Sequence, residues 1–164
     1  MTARGVFYVH SSPPALCPHV EWAAAGVLGV PVSLVWTDQP AAPGTMRAQL
    51  CWEGNSGTAA GIASALRTWK LLRFEVTEDA TPGCDGVRFS CTPSLGVFTG
   101  VTGASGDVMV PEDRLRTVMA GAARGKTNLE HELERLLGTP WDNELETFRR
   151  AGDGAPVRWL HAAV

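Results

Sequence analysis

Between Arg4 and His10 the chain carries V-F-Y-V, apolar on both faces, the pattern of a central strand covered on both sides. Pro13 and Pro14 cannot continue a ladder and force a corner. Beyond it, Val20, Ala23, Ala24, Val27 and Leu28 recur at helical spacing. They predict an amphipathic helix that starts near Pro18 and stops at Gly29 and Pro31. V-S-L-V-W-T, from Val32 to Thr37, reads as a second strand. From Thr45 to Glu53 the alternation is clean, with Met46, Ala48, Leu50 and Trp52 on one face and Arg47, Gln49, Cys51 and Glu53 on the other. This is a half-buried strand, antiparallel to its predecessor because the connection is short. Gly54-Asn55-Ser56-Gly57 then opens a helix with Asn55 or Ser56 as N-cap and Ile62, Leu66 and Trp69 along its buried side. L-R-F-E-V-T-E, from Leu72 to Glu78, alternates again.

That order, β-α-β-β-α-β over residues 1–79, is the order of a ferredoxin-like unit. Strands from Val87 to Cys91 and from Gly96 to Val101 extend one edge within residues 80–110, with Asp85-Gly86 as the hairpin step. From Pro111 the pattern turns helical. Leu115, Val118 and Met119 are expected to face inward. Thr127 to Glu130 fits a capping box before Leu129, Leu133, Leu136 and Leu137, and Gly138 ends that helix. Thr139-Pro140 starts another, with Trp141, Leu145 and Phe148 in step, and Pro156 to His161 suits a last edge strand or a packed tail. The expected architecture is one α/β (α+β) domain over residues 1–164: the ferredoxin-like unit, two added antiparallel strands, and helices and a tail over 111–164. Val20, Ala23, Val27, Leu50, Ile62, Leu66 and Phe74 are the predicted core.

Length and composition fit this picture: 164 residues, 45% apolar and 19% charged, are enough for a globular core without disulfides. A net charge of −3, with twelve Arg and two Lys scattered along the chain, argues against nucleic acid as a partner. No basic tract suggests a membrane surface, and no apolar run is long enough to span a bilayer. The first strand leaves no room for a signal peptide, so a cytoplasmic protein is expected. Its four cysteines form no C-x-x-C pair and read as reduced, packed thiols.

The expected topology gathers His10, Ser11, Ser12, His19, Glu21, Asp38 and Arg47 at the corner after the first strand, as a candidate binding site. A histidine beside a hydroxyl suits general-base or nucleophilic chemistry. No G-x-S-x-G elbow surrounds these serines, however, and they serve equally well to satisfy the turn. His10, Cys17, His19 and Glu21 are apt metal ligands in a spacing that matches no zinc pattern, so no metal or cofactor is expected. G-N-S-G-T-A-A-G, from Gly54 to Gly61, lacks the lysine of a phosphate-binding loop and is explained by capping and close packing. Trp22 and Trp141 lie at the edges of apolar stripes, where an interface could use them.

The opening R-G-V-F-Y-V-H-S-S-P-P-A-L-C-P-H-V-E-W-A, with W-E-G-N-S-G-T-A-A and T-P-W-D further on, resembles an uncharacterised actinobacterial family, domain of unknown function family 3145. The resemblance covers essentially the whole chain. It implies no activity and no site residue; through the genes beside which the family is encoded it implies a link to fatty-acid synthesis. The expectation is therefore a non-catalytic binding or accessory protein with a small-molecule or protein partner. Arg149, Arg150 and Arg158 would form a basic rim for an acidic partner such as an acyl carrier protein. The alternative is a small hydrolase or transferase using His10 or His19.

Overall fold

Thr2–Ser12 forms the strand, β1, around which a single sheet assembles. Phe7 and Val9 point to one face of it, Tyr8 and His10 to the other, and all four are buried, as a run apolar on both faces requires. The computed structural model describes residues 2–151; Arg158 and the expected strand from Pro156 to His161 lie outside them. After a 3-10 turn, Pro14–Leu16, come α1 (Cys17–Leu28), β2 (Thr37–Asp38), β3 (Met46–Asn55), α2 (Thr58–Leu66) and β4 (Arg73–Glu78). The chain continues through β5 (Gly86–Thr92), β6 (Gly96–Thr102) and β7 (Val108–Met109). It closes with α3 (Glu112–Ala123), α4 (Leu129–Leu137) and α5 (Thr139–Arg150). Every strand pairing is antiparallel, in the order β2-β3-β1-β4-β5-β6-β7. The described residues thus form a mixed α+β structure of seven antiparallel strands and five helices.

α1 and α2 cover one face. Val20, Ile62, Leu66 and Phe74 are fully buried there, and Ala23, Val27 and Leu50 pack against them at the margin. Gly29 takes the left-handed conformation (φ 72°) that ends α1. Gly5 is required for a different reason: a Cβ there would lie 1.9 Å from the Thr77 carbonyl oxygen. Only glycine lets β1 and β4 approach this closely.

The structure departs from the sequence pattern in five places. Three strands rather than the expected two follow β4, because Val108–Met109 pairs with β6 as the short β7. The expected strand from Val32 to Thr37 shrinks to Thr37–Asp38. Pro31 leads into the segment, and Glu21 Oε1 accepts the Leu34 N–H (2.8 Å) and the Trp36 indole N–H (3.0 Å), so a donor a ladder would use goes to a side chain. The N-cap of α2 is Gly57, not Asn55 or Ser56, and the acceptor for its first turn comes from Glu78. The capping side chain of α4 is Asn128, which accepts the His131 N–H at 3.0 Å, one residue past the expected Thr127. Leu115 and Met119 of α3, expected to face inward, are exposed.

Candidate functional site

The second face of the sheet is polar in pattern and yet largely buried. Tyr8 and His10 on β1, Glu75 and Thr77 on β4, Arg88, Ser90 and Thr92 on β5 all project there and are inaccessible to solvent. β1 carries an extra residue at His10–Ser11, because its register against both β3 and β4 shifts after Val9. Such a bulge re-aims a side chain. Here it leaves the His10 ring stacked on Tyr8, with ring centres 5.8 Å apart, and directed at Glu75.

α5 lies across this face. Trp141, Leu145 and Arg149, at i, i+4 and i+8, are its buried stripe. Trp141 packs on Phe98 of β6 and donates its indole N–H to the Gly96 carbonyl at 2.9 Å. At the other end Arg149 reaches between the strands, only 4% exposed. Its Nε donates to Glu75 Oε2 at 2.9 Å, and its Nη2 donates to Glu75 Oε1 and to Asp142 Oδ1, the latter at 2.8 Å. Glu75 also accepts from His10 Nε2 (2.6 Å) and from Ser90 Oγ (3.0 Å). Arg88 completes the network, donating from Nη2 to Asp142 Oδ1 at 2.6 Å and from Nε to Ser90 Oγ at 3.1 Å. Around this centre Arg73 donates to Glu144 Oε1 at 3.1 Å and lies over the Phe148 ring. Gln39 ties the His10 carbonyl (2.6 Å) to that of Phe148 (3.4 Å).

Burial alone would raise the Glu75 carboxyl; the hydrogen bond and charge of His10, then the guanidinium of Arg149, outweigh it and hold the group far below the usual carboxylate range. Glu144 is lowered too: burial opposes ionisation, and Ser94, Thr92 and Arg73 overcome it. Both oxygens of Glu75 are saturated with donors, so its lone pairs have no room for a substrate proton. The cluster clasps α5 to the sheet.

The corner residues are not gathered into one site. His10 belongs to the clasp. The Ser11 hydroxyl accepts from Arg73 Nη1 at 3.4 Å, and the buried Ser12 hydroxyl donates to the Pro13 carbonyl at 3.1 Å. Arg47 is buried on β3, donating to Thr37 Oγ1 (3.4 Å) and to the Ala151 carbonyl. Asp38 is exposed on β2. His19 is exposed on α1, edge-on to Trp22, and Glu21 pins the loop from Leu34 to Trp36. Of the basic rim, Arg149 is not at a surface but paired with Glu75 and Asp142, because it extends the stripe that buries Trp141 and Leu145. Arg150 is exposed and pairs with Glu146 at 2.5 Å. Glu75, Arg88 and Ser90 are not singled out by the sequence, since on alternating strands they look like solvent-facing positions; neither is Asp142, which reads as part of the outward face of a helix, nor Gln39, which lies in a turn-rich connection. One clue was available: Arg149 stands four residues after Leu145 and eight after Trp141.

The glycine-rich start of α2 is filled from within. Glu78 accepts the N–H of Gly57 at 2.9 Å and of Ala59 at 3.1 Å, placing a carboxylate at the positive end of the helix. Where α5 does not reach, two open depressions of about 450 and 350 Å³ meet at the exposed Arg4–Asp79 pair. Among the described residues, no three His, Cys, Asp or Glu side chains come together as a metal ion would need, and no helix is long and apolar enough to cross a membrane. The most exposed large apolar side chains are Val35, at 83%, and Trp22, at 70%, next to the residues joined by the Glu21 clasp. Trp141, the other tryptophan considered for an interface, is buried.

Neither the curated proteins nor the solved structures include a match to this chain. The family model described as protein of unknown function DUF3145 does match, over residues 6–162, and with nearly its whole length covered the chain belongs to that family.

Proposed function

We propose that this is a non-catalytic accessory protein that binds a protein partner on the outer side of α1. The observation that carries the reading is Trp22. A large aromatic side chain, 70% exposed, stands on a regular helix beside the His19 ring (centres 5.2 Å apart). Aromatic anchors of this kind dominate binding energy at interfaces, and a helix presents them with little ordering cost. The residues suited to chemistry support the same conclusion. His10 is buried and engaged with Glu75, and the buried corner serines are engaged too, Ser11 with Arg73 and Ser12 with the Pro13 carbonyl. We extend the proposal to the fold: the strand order β2-β3-β1-β4, with α1 and α2 on one face, favours a ferredoxin-like unit extended by β5 to β7. A cytoplasmic setting and a role beside fatty-acid synthesis, with an acidic carrier protein as partner, belong to the proposal as well. The buried Arg149 lends the carrier no support; Arg150 is the exposed cation left for it on α5.

Affinity capture from the native host, with mass spectrometry of the retained proteins, tests the reading. A partner held by the wild type and lost on Trp22→Ala, but kept by Lys70→Ala, is the expected result. The rival is tested in parallel with ester, thioester and phosphoester substrates. Turnover abolished by His10→Ala or His19→Ala in folded protein would replace the binding reading with an enzymatic one.

A further inference from the structure

The sheet has a bare edge along β3. β2 pairs with that strand only at Arg47 and Met46, and residues 30–36, held by Glu21, make no backbone hydrogen bond to it. The Gln39 N–H donates to the Thr45 carbonyl at 2.9 Å, in register with the Thr37–Arg47 pair. In antiparallel pairing a strand turns its N–H and C=O groups to alternate sides, residue by residue. The odd-numbered residues of β3 therefore direct theirs outward and the even-numbered ones toward β1. Beyond Arg47 this leaves the backbones of Gln49, Cys51 and Glu53 open, with no outward hydrogen bond among the described residues. Their side chains are exposed as well. From Ala48 to Gly54 the strand carries no proline, lysine or bulge, the features that ordinarily guard an open edge.

A row of free donors and acceptors on an extended chain is complemented by another extended chain. The open window is bounded on one side by Arg47, already paired with Thr37, and on the other by Asn55, after which the chain turns into α2. Its midpoint is Cys51, itself an outward-directed residue, so the window complements its own copy. A two-fold axis at that point sets Cys51 against Cys51 of the second copy. It also sets Gln49 against Glu53 of the second copy, twice over, as an isologous contact demands. Each facing pair exchanges two backbone hydrogen bonds. The side chains agree with this register. Neither Gln49 nor Glu53 has a side-chain partner among the described residues, and a glutamine amide donates to a carboxylate directly opposite it.

We infer that a second copy of this chain adds its β3 antiparallel to this edge, joining the two sheets into one about an axis at Cys51. The inference concerns the edge of the sheet and does not depend on the function proposed above. Sedimentation equilibrium of the full chain at micromolar concentration should give a mass that rises toward twice the 17.4 kDa of one chain. Cys51→Pro removes an outward N–H and no bond to β1, so it should keep the circular dichroism spectrum and give a monomer. Gln49→Glu, on an exposed side chain, sets two pairs of carboxylates face to face and should weaken association roughly three- to tenfold. The register is read separately, with Cys51→Ser and Cys84→Ser in the background. Under mild oxidation, Gln49→Cys mixed with Glu53→Cys should form a mixed disulfide far faster than either variant couples with itself. A chain that stays monomeric at high micromolar concentration overturns the inference, even where a different extended polypeptide then takes the edge. So does a dimer that Cys51→Pro and Gln49→Glu leave unchanged, or one in which Gln49→Cys couples with itself as readily as with Glu53→Cys.

Discussion

Replacing Arg149 with methionine keeps the helix propensity and most of the length of the side chain while deleting its charge. The guanidinium is 4% exposed and supplies two of the donors to Glu75, so the substitution strands a buried carboxylate. Removing one partner of a buried pair costs about 3–5 kcal/mol. Two features set the expectation at the lower end. Glu75 keeps His10 and Ser90 as donors, and Asp142 keeps Arg88. A loss of about 3 kcal/mol is a large share of the roughly 5–15 kcal/mol that holds an ordinary domain together. It should lower the urea midpoint by about 1–2 M. Hydrogen exchange should show the damage first over residues 139–150, since α5 is the element the clasp retains. Glu75→Gln with Arg149→Met should cost clearly less than the two single changes added together, because the double variant strands no charge. An Arg149→Met chain that loses under about 1 kcal/mol, or singles that add within about 0.5 kcal/mol, would refute the clasp.

Acid should loosen the same element. Glu75 and Glu144 are held below their ordinary values in the folded protein, so their contribution is complete above the unfolded carboxyl value and is lost as pH falls below it. Urea titrations should therefore show stability declining from about pH 4.5 downward, less steeply in Glu75→Gln. Glu78→Ala removes the acceptor for two N–H groups at the start of α2, and a loss of about 1 kcal/mol in thermal or urea unfolding is expected. Alkylation at mildly alkaline pH should label Cys51 and Cys84, which are exposed, and spare Cys91, whose thiol burial pushes up to about 11. Peptide mapping that finds Cys91 labelled as fast as Cys51 in native protein would contradict this.

The apolar half of the molecule was legible because burial on one face leaves a period in the sequence. Met46, Ala48, Leu50 and Trp52 alternate with polar residues, and β3 falls within two residues of the pattern. α1, β4, β5 and β6 were placed equally well, and Gly29 and Gly138 end their helices in the left-handed conformation as anticipated. The polar half was misread for the same reason. R-F-E-V-T-E alternates, and nothing local distinguishes a glutamate facing water from one facing an arginine seventy-four residues later. β2 was overestimated because V-S-L-V-W has strand composition, whereas its backbone is captured by Glu21. The corner residues lie apart because a bulge turns His10 toward Glu75 on one face of the sheet, while His19 and Glu21 ride on α1, which covers the other.

The distance along the chain between Glu75 and Arg149 also has a meaning for how the protein is made. A ribosome adding about 5–20 residues per second needs about 4–15 s to traverse the interval. During that time β1, β3 and β4 can already form, but one side of their sheet presents a carboxylate, a histidine and the edges of unburied rings with nothing to seal them. The nascent chain is therefore obliged to wait for α5. A message cut short before codon 149, or a ribosome stalled there, yields a protein whose incompleteness is displayed on its surface, where proteases and holdases can read it.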